Sequence, residues 1–238
     1  REARKSVSHF TAGLSMPEFA RLISGDQIDI LIYPEIGMNP VTRMLAARRL
    51  APLQCVSWGH PLSSGLPEMD CFLSSDLMEP DVADQHYSER LIRLPGLSFT
   101  WVPPEQTAVL AGKESFGFCE RDVVYLCVQN LSKYLPQHDD LLLQIVRRQP
   151  LAKLVFIESE AAVNMALQSR LRATFGAASI DFDRHIRFLP RLDRDRYAAL
   201  NRIADVFLDT PGWSGCNSTL EALWCDLPVV TLPGGLMR

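Results

Sequence analysis

Short unbroken runs of Val, Ile and Leu, each followed by a helical pattern, recur from one end of this chain to the other. A strand with one face in water alternates apolar and polar residues, so continuous apolar runs call for burial on both faces. The runs are "IDILIYP" (residues 28–34), "QCVSWG" (54–59), "MDCFLSS" (69–75), "DVVYLCVQN" (122–130), "AKLVFIES" (152–159), "HIRFLP" (185–190), "DVFLDT" (205–210) and "PVVTLPG" (228–234). Helical spacing falls between them, in "PVTRMLAARRLAP" (40–52), "HDDLLLQIVRRQP" (138–150), "NMALQSRLRATFG" (164–176), "DRDRYAALNRIA" (193–204) and "NSTLEALWC" (217–225). In "ADQHYSERLIRLPG" (83–96) a helical turn leads into another apolar segment. This alternation predicts an α/β protein of parallel sheets covered by helices on both faces. Pro103 and Pro104 in "TWVPPEQ" form a stiff connector, after which the alternation restarts. Two α/β units are therefore expected, residues 1–103 and 104–238.

Composition narrows the class. A hydrophobic share of 47% with 22% charged residues is that of a globular protein. The formal net charge of -4 argues against a dedicated nucleic-acid or anionic-membrane surface. No apolar run approaches the roughly 18 residues of a spanning helix, and "REARKSVSHF" lacks a signal core. That opening also lacks an initiator Met, so it is expected to lie inside a longer protein. The six cysteines form no CxxC pair and sit mostly in apolar runs, which reads as buried free thiols in a reducing, cytoplasmic setting. No HxxxH, HExxH or Cys/His cluster points to a metal, and no cofactor is expected. GxSxG, GxxxxGK[ST] and GxGxxG are all absent, which disfavours hydrolase, P-loop kinase and dinucleotide oxidoreductase readings.

Open parallel sheets bind ligands at the carboxyl ends of their strands. After "DVFLD" comes "TPGWSG", holding Gly212 and Gly215, then a helix that Asn217 or Ser218 is suited to cap. Free N–H groups and the helix dipole favour a phosphate there. Glu221 lies four residues after Asn217 on the same face, where a carboxylate accepts hydrogen bonds from a ribose diol. Taken alone, the pattern also fits a plain capped helix. In "CVQNLSKYLPQHD", Lys133 arrives in a loop after a buried strand and suits a phosphate, although an ordinary exposed lysine fits as well. In "SWGHPLSSG", Gly59 permits close backbone approach, and His60 at a strand end suits acid/base work or sugar binding. "YPEIGMNP" places Glu35 and Asn39 in the loop after the first strand.

Four blocks carry a resemblance: "APLQCVSWGHPLSSGLPEMDCFLSSD", "YSERLIRLPG", "VQNLSKYLP" and "ADVFLDTPGWSGCNSTLEALWCDLPVVTLPG". Together they resemble, from about residue 29 to 238, the catalytic region of the O-GlcNAc transferase/SPINDLY glycosyltransferases, bacterial members above all. The resemblance implies a GT-B fold, two Rossmann-like domains facing a cleft, with the donor held mainly by the second and the chain truncated at both ends. It further implies that Lys133 contacts the donor diphosphate, that Cys216, Asn217 and Ser218 offer backbone amides to the phosphates, and that Glu221 holds the ribose. Asn130 would be a second amide near the phosphates, and Gly59 with His60 would line the sugar and acceptor side. Tyr197 and Arg194 stand where animal enzymes carry His and Lys near the base, and Cys216 where they carry His. The resemblance also sets Asp29 where the family carries a His of the first domain. The implied reaction is metal-independent inverting transfer of GlcNAc or a hexose from a UDP-sugar to a protein Ser/Thr or Asn. Tetratricopeptide repeats are implied in the parent protein. His60 and Glu35 are the candidate general bases. Two alternatives stay open: a glycan or small-molecule acceptor, and an idle nucleotide-binding or scaffold module.

Overall fold

The computed structural model describes residues 7–103 and 111–236. It divides into two compact units, Arg1–Trp101 with Gly235–Arg238, and Val102–Gly234. Pro104 and the residues after it through 110, on which the connector reading partly rests, lie outside the described residues.

The first unit runs α1 (Met16–Gly25), β1 (Ile30–Tyr33), α2 (Pro40–Ala46), β2 (Leu53–Ser57), β3 (Cys71–Ser75) and β4 (Arg90–Leu94). Its four strands are all parallel, in the order β1-β2-β3-β4. The first helix precedes the region where apolar runs begin, so strand spacing does not announce it. Local chemistry does: Glu18 reaches back to accept from the Ser15 N–H at 2.8 Å, and Pro17 sits in the first turn. Tyr33, Val56, Phe72 and Leu91 build the core against Ala20, Leu45 and Ala46. The expected burial of both faces fails at β1, where Ile30 and Ile32 are 55% and 52% exposed. As an edge strand with period-2 alternation, β1 packs Leu31 and Tyr33 into the core and turns the two isoleucines away from it.

The second unit runs β5 (Val123–Leu126), α3 (Asp139–Arg148), β6 (Ala152–Ile157), α4 (Ala161–Ala177), α5 (Phe182–His185), β7 (Ile186–Leu189), α6 (Arg194–Ile203), β8 (Val206–Leu208), α7 (Asn217–Trp224) and β9 (Val229–Val230). All five strands are parallel, in the order β7-β6-β5-β8-β9. Numbered within the unit this is 3-2-1-4-5, the doubly wound Rossmann arrangement. Here both faces are covered. Leu154 and Phe156 of β6 face Leu142, Leu143 and Val146 of α3 and Leu167, Leu171 and Phe175 of α4. Val155, pointing the opposite way, packs with Val124, Phe207, Leu200 and Ala222 under α6 and α7. The stripe Leu167, Leu171, Phe175 repeats every four residues, which lines one helix face. Asp139 and Asp140 open α3 and Arg147 and Arg148 close it, each matching the helix dipole.

Asp193 caps α6, its side chain accepting from the Arg196 N–H at 2.8 Å. Asp193→Ala is expected to cost about 0.5–2 kcal/mol, read from urea denaturation midpoints at unchanged slope. Three of the cysteines, Cys55, Cys71 and Cys127, are buried thiols as expected, whereas Cys119 and Cys216 are exposed. No helix among the described residues is long and apolar enough to cross a membrane.

Candidate functional site

In the second unit the chain winds outward from β5 in both directions, so strand order reverses between β5 and β8. Loops leaving these two neighbours diverge and open a crevice at their carboxyl ends, where open α/β sheets bind ligands. Lys133 comes from the loop after β5, and the segment from Asp209 to Ser218 comes from the loop after β8.

The first loop folds into a one-turn 3-10 helix, Leu131–Lys133, in place of the irregular loop expected. Asn130 caps it, its Oδ1 accepting from Ser132 N at 3.0 Å and Ser132 Oγ at 2.9 Å, so its carbonyl oxygen is committed to that turn. The turn delivers the Lys133 ammonium to Gln129 Oε1 at 3.2 Å and to the Ser214 carbonyl at 3.0 Å. Burial pulls the ammonium below its ordinary pKa, while Asp209 and then Cys216 pull it back up. The Trp213 ring lies 5.9 Å from the same nitrogen.

The second loop ends at α7. Its N-cap is Cys216, not Asn217 or Ser218, because the helix begins one residue before the expected caps could act. Asn217 and Ser218 thereby occupy the first two helical positions, and the N-cap makes no side-chain capping bond. Among the described residues, the backbone N–H groups of Cys216, Asn217 and Ser218 meet no acceptor, whereas those of Thr219 and Leu220 close on Cys216 O. Three open donors at the positive end of a helix are an arrangement that favours an anion, a candidate cradle. Gly215 leads into it through a tight spot. A Cβ there would fall against Gln129 Nε2, Thr219 Oγ1 and Ser218 Oγ. Burial also raises the Cys216 thiol pKa, opposed by Lys133, so the thiol adds no negative charge near neutrality.

Further along α7 stands Glu221, with Arg194 and Tyr197 of α6 among its electrostatic neighbours. Burial raises the Glu221 carboxyl pKa, with Arg194 opposing. Burial lifts the Tyr197 phenol to about 12, with Glu221 among its charged neighbours. A cavity of about 420 Å³ opens at the start of α6, lined among others by Leu189, Pro190, Leu192 and Arg196.

In the first unit, the loops after β1 and β2 are clasped together. The Gly59 N–H donates to Pro34 O at 3.0 Å. A Cβ on Gly37 would lie 3.1 Å from three His60 ring atoms, so the imidazole rests against that glycine. Glu35 Oε2 accepts from the Met38 N–H at 2.8 Å, holding its own loop. Glu89, buried, anchors the rest of the His60 loop by accepting from Ser63 Oγ, Ser64 N and Ser64 Oγ.

The sequence motifs missed Gln129, Asp209 and Thr231. Asp209 Oδ1 accepts from Gln129 Nε2 at 2.9 Å and Gly215 N at 2.8 Å, and Oδ2 accepts from Thr231 Oγ1 at 2.8 Å. The available signal was a polar residue ending an apolar strand on each side of the reversal in strand order.

The profile of glycosyl transferase family 41 matches residues 99–237, more than half of the chain. A protein of Arabidopsis thaliana named "Probable UDP-N-acetylglucosamine--peptide N-acetylglucosaminyltransferase SEC" is 25% identical over 97% of this chain and 24% of its own length. The Arabidopsis thaliana protein of the same designation named SPINDLY is 26% identical over 94% of this chain, again 24% of its own length. The chain thus spans about a quarter of these relatives. Among solved structures, a mutant Thermobaculum terrenum O-GlcNAc transferase superposes with a TM-score of 0.77 at 29% identity, over 94% of this chain and 42% of that one. A pneumococcal O-GlcNAc transferase solved with UDP and GlcNAc shares the fold, with a TM-score of 0.52 at 12% identity over 91% of this chain and 45% of that one. On the profile match and these relatives, the chain belongs to glycosyl transferase family 41 and is O-GlcNAc transferase-like.

Proposed function

We propose that this chain holds the donor-binding core of an inverting glycosyltransferase that moves GlcNAc or a hexose from a UDP-sugar to a protein side chain. The observation that carries the reading is the convergence of Lys133 with the open N–H groups of Cys216, Asn217 and Ser218 at one strand-order reversal. These are a point charge and a fan of donors, the pair a diphosphate leaving group needs as negative charge develops on it. Glu221 in the first turns of α7 suits the ribose diol, and Tyr197 with Arg194, both electrostatic neighbours of Glu221, suit the base. The names of the relatives support a UDP-linked donor and a peptide acceptor. In this reaction the acceptor attacks the anomeric carbon in line and the nucleoside diphosphate departs from the opposite side. Lys133 and the α7 amides stabilise the departing oxygen, and His60 and Glu35 of the first unit are the candidate groups to take the acceptor proton.

Calorimetry with UDP and GDP tests the reading. UDP is expected to bind the whole protein and GDP to bind it less tightly, in line with the UDP-linked names of the relatives. Failure of both nucleotides to bind would remove the donor-site assignment. Transfer is checked by mass spectrometry of co-expressed proteins, with a HexNAc or hexose increment expected.

A further inference from the structure

Asp209 ends β8 and is given no role by residue type or spacing, yet its carboxylate collects donors from three separate segments. Those segments follow β5, β8 and β9, and together they bracket the reversal in strand order. A carboxylate is an acceptor only, so Gln129 must turn its NH2 end toward it. The other end of the same amide, Oε1, then faces Lys133 Nζ at 3.2 Å. The second bond of Nζ goes to Ser214 O at 3.0 Å, one residue before the glycine whose N–H Asp209 also holds. One carboxylate therefore bonds both the amide that accepts from Lys133 and the glycine N–H just ahead of the three open N–H groups.

The geometry points to Asp209 as a positioning residue: through Gln129 it aims the Lys133 ammonium, and through the Gly215 N–H it fixes the turn leading into α7. This role rests on the reading of the crevice as the diphosphate site. The charged and titratable groups facing Lys133 are Asp209 at the end of β8 and Cys216 at the start of α7, while the loop after β5 contributes the neutral Gln129. Burial depresses the lysine pKa, and the Asp209 charge opposes that depression. Removing the charge lets burial act further. Only the protonated lysine pairs with a diphosphate, so UDP affinity falls as pH rises through the lysine pKa. In Asp209→Asn that fall begins at lower pH. The Asn oxygen still accepts from Gln129 and Gly215, and the Thr231 hydroxyl can rotate to accept, so charge is removed while the hydrogen bonds survive.

The test is calorimetric titration of the whole protein with UDP between about pH 6 and pH 10, across the range in which a depressed lysine titrates. Asp209→Asn is expected to move the alkaline loss of affinity to lower pH. Gln129→Met, which keeps length but deletes both amide ends, is expected to weaken UDP binding about tenfold or more at neutral pH, the scale of one charge-assisted hydrogen bond. A purely structural Asp209 would weaken binding equally at every pH without moving the limb, which overturns the proposal. If Asp209→Asn does not fold, Gln129→Met decides, and unchanged UDP affinity overturns the relay. Lys133→Ala separates the two levels. If it leaves UDP affinity intact, the anion-site reading fails. If it weakens binding while Gln129→Met does not, only the positioning role of Asp209 is lost.

Discussion

Lys133→Ala is expected to lower turnover by about 10²–10³-fold, the range for losing one preorganised partner of developing charge, with the fold intact. The lysine sits on a one-turn 3-10 helix and belongs to none of the core clusters. Truncating it opens no core cavity, and stability should change by about 1 kcal/mol or less, as for a partly exposed hydrogen-bonding group. The ammonium is a partner for charge that grows as the sugar–phosphate bond breaks, so kcat should fall more than the donor KM rises. Steady-state kinetics of the whole protein with UDP-GlcNAc, beside thermal melts followed by circular dichroism, make the comparison. A kcat within about twofold of the parent would remove Lys133 from the mechanism, since a lost charge partner costs far more.

Gly215→Ala is expected to be the more damaging of two glycine substitutions in the same loop. At Gly212 a Cβ meets nothing within 4 Å and the cost is that of a left-handed φ of +80°. That amounts to about 1–2 kcal/mol. At Gly215 the added methyl falls on Gln129 Nε2, which would have to leave Asp209 to yield, and on Thr219 Oγ1 and Ser218 Oγ in the first turn of α7. Overpacking of this kind costs about 1–3 kcal/mol in stability. The functional cost should be larger, because the shift uncouples the Asp209–Gln129–Lys133 chain from the helix N-terminus. UDP affinity is expected to fall by more than about tenfold for Gly215→Ala, the scale of one charge-assisted hydrogen bond, and by less than about threefold for Gly212→Ala. Equal losses at the two glycines would show that Gly215 is not the contact point between the loops.

Much of the fold was legible because a buried parallel strand needs a continuous apolar run, and such runs are local in sequence. "DVVYLCVQN", "AKLVFIES" and "DVFLDT" each became a central strand for that reason. The run "IDILIYP" also became a strand, but composition could not say that β1 stands at an edge with Ile30 and Ile32 turned outward. Burial of a face depends on what packs over it, which is a property of the assembled sheet. The first helix was missed for the complementary reason: its signal lies in the Ser15–Glu18 capping pair, and not in any strand spacing.

The site divides in the same way. Residue type and local spacing marked Lys133, Gly215, Asn217, Ser218 and Glu221, because a glycine-bearing loop at a helix start is a local pattern with local physics, and the family resemblance added Cys216. The cap itself was placed one residue late, since backbone angles at Cys216, φ -122° and ψ -85°, decide where the helix begins. Gln129, Asp209 and Thr231 carried no pattern, because their partners are distant in sequence. Gln129 and Asp209 stand 80 positions apart and meet only because β5 and β8 pair as neighbours. The sequence by itself determined an alternating α/β chain, its family resemblance and the loops that could bind an anion. Only the tertiary structure decided that strand order reverses between β5 and β8, which gathers a lysine, a glycine turn and an acceptor-only carboxylate into one hydrogen-bonded unit.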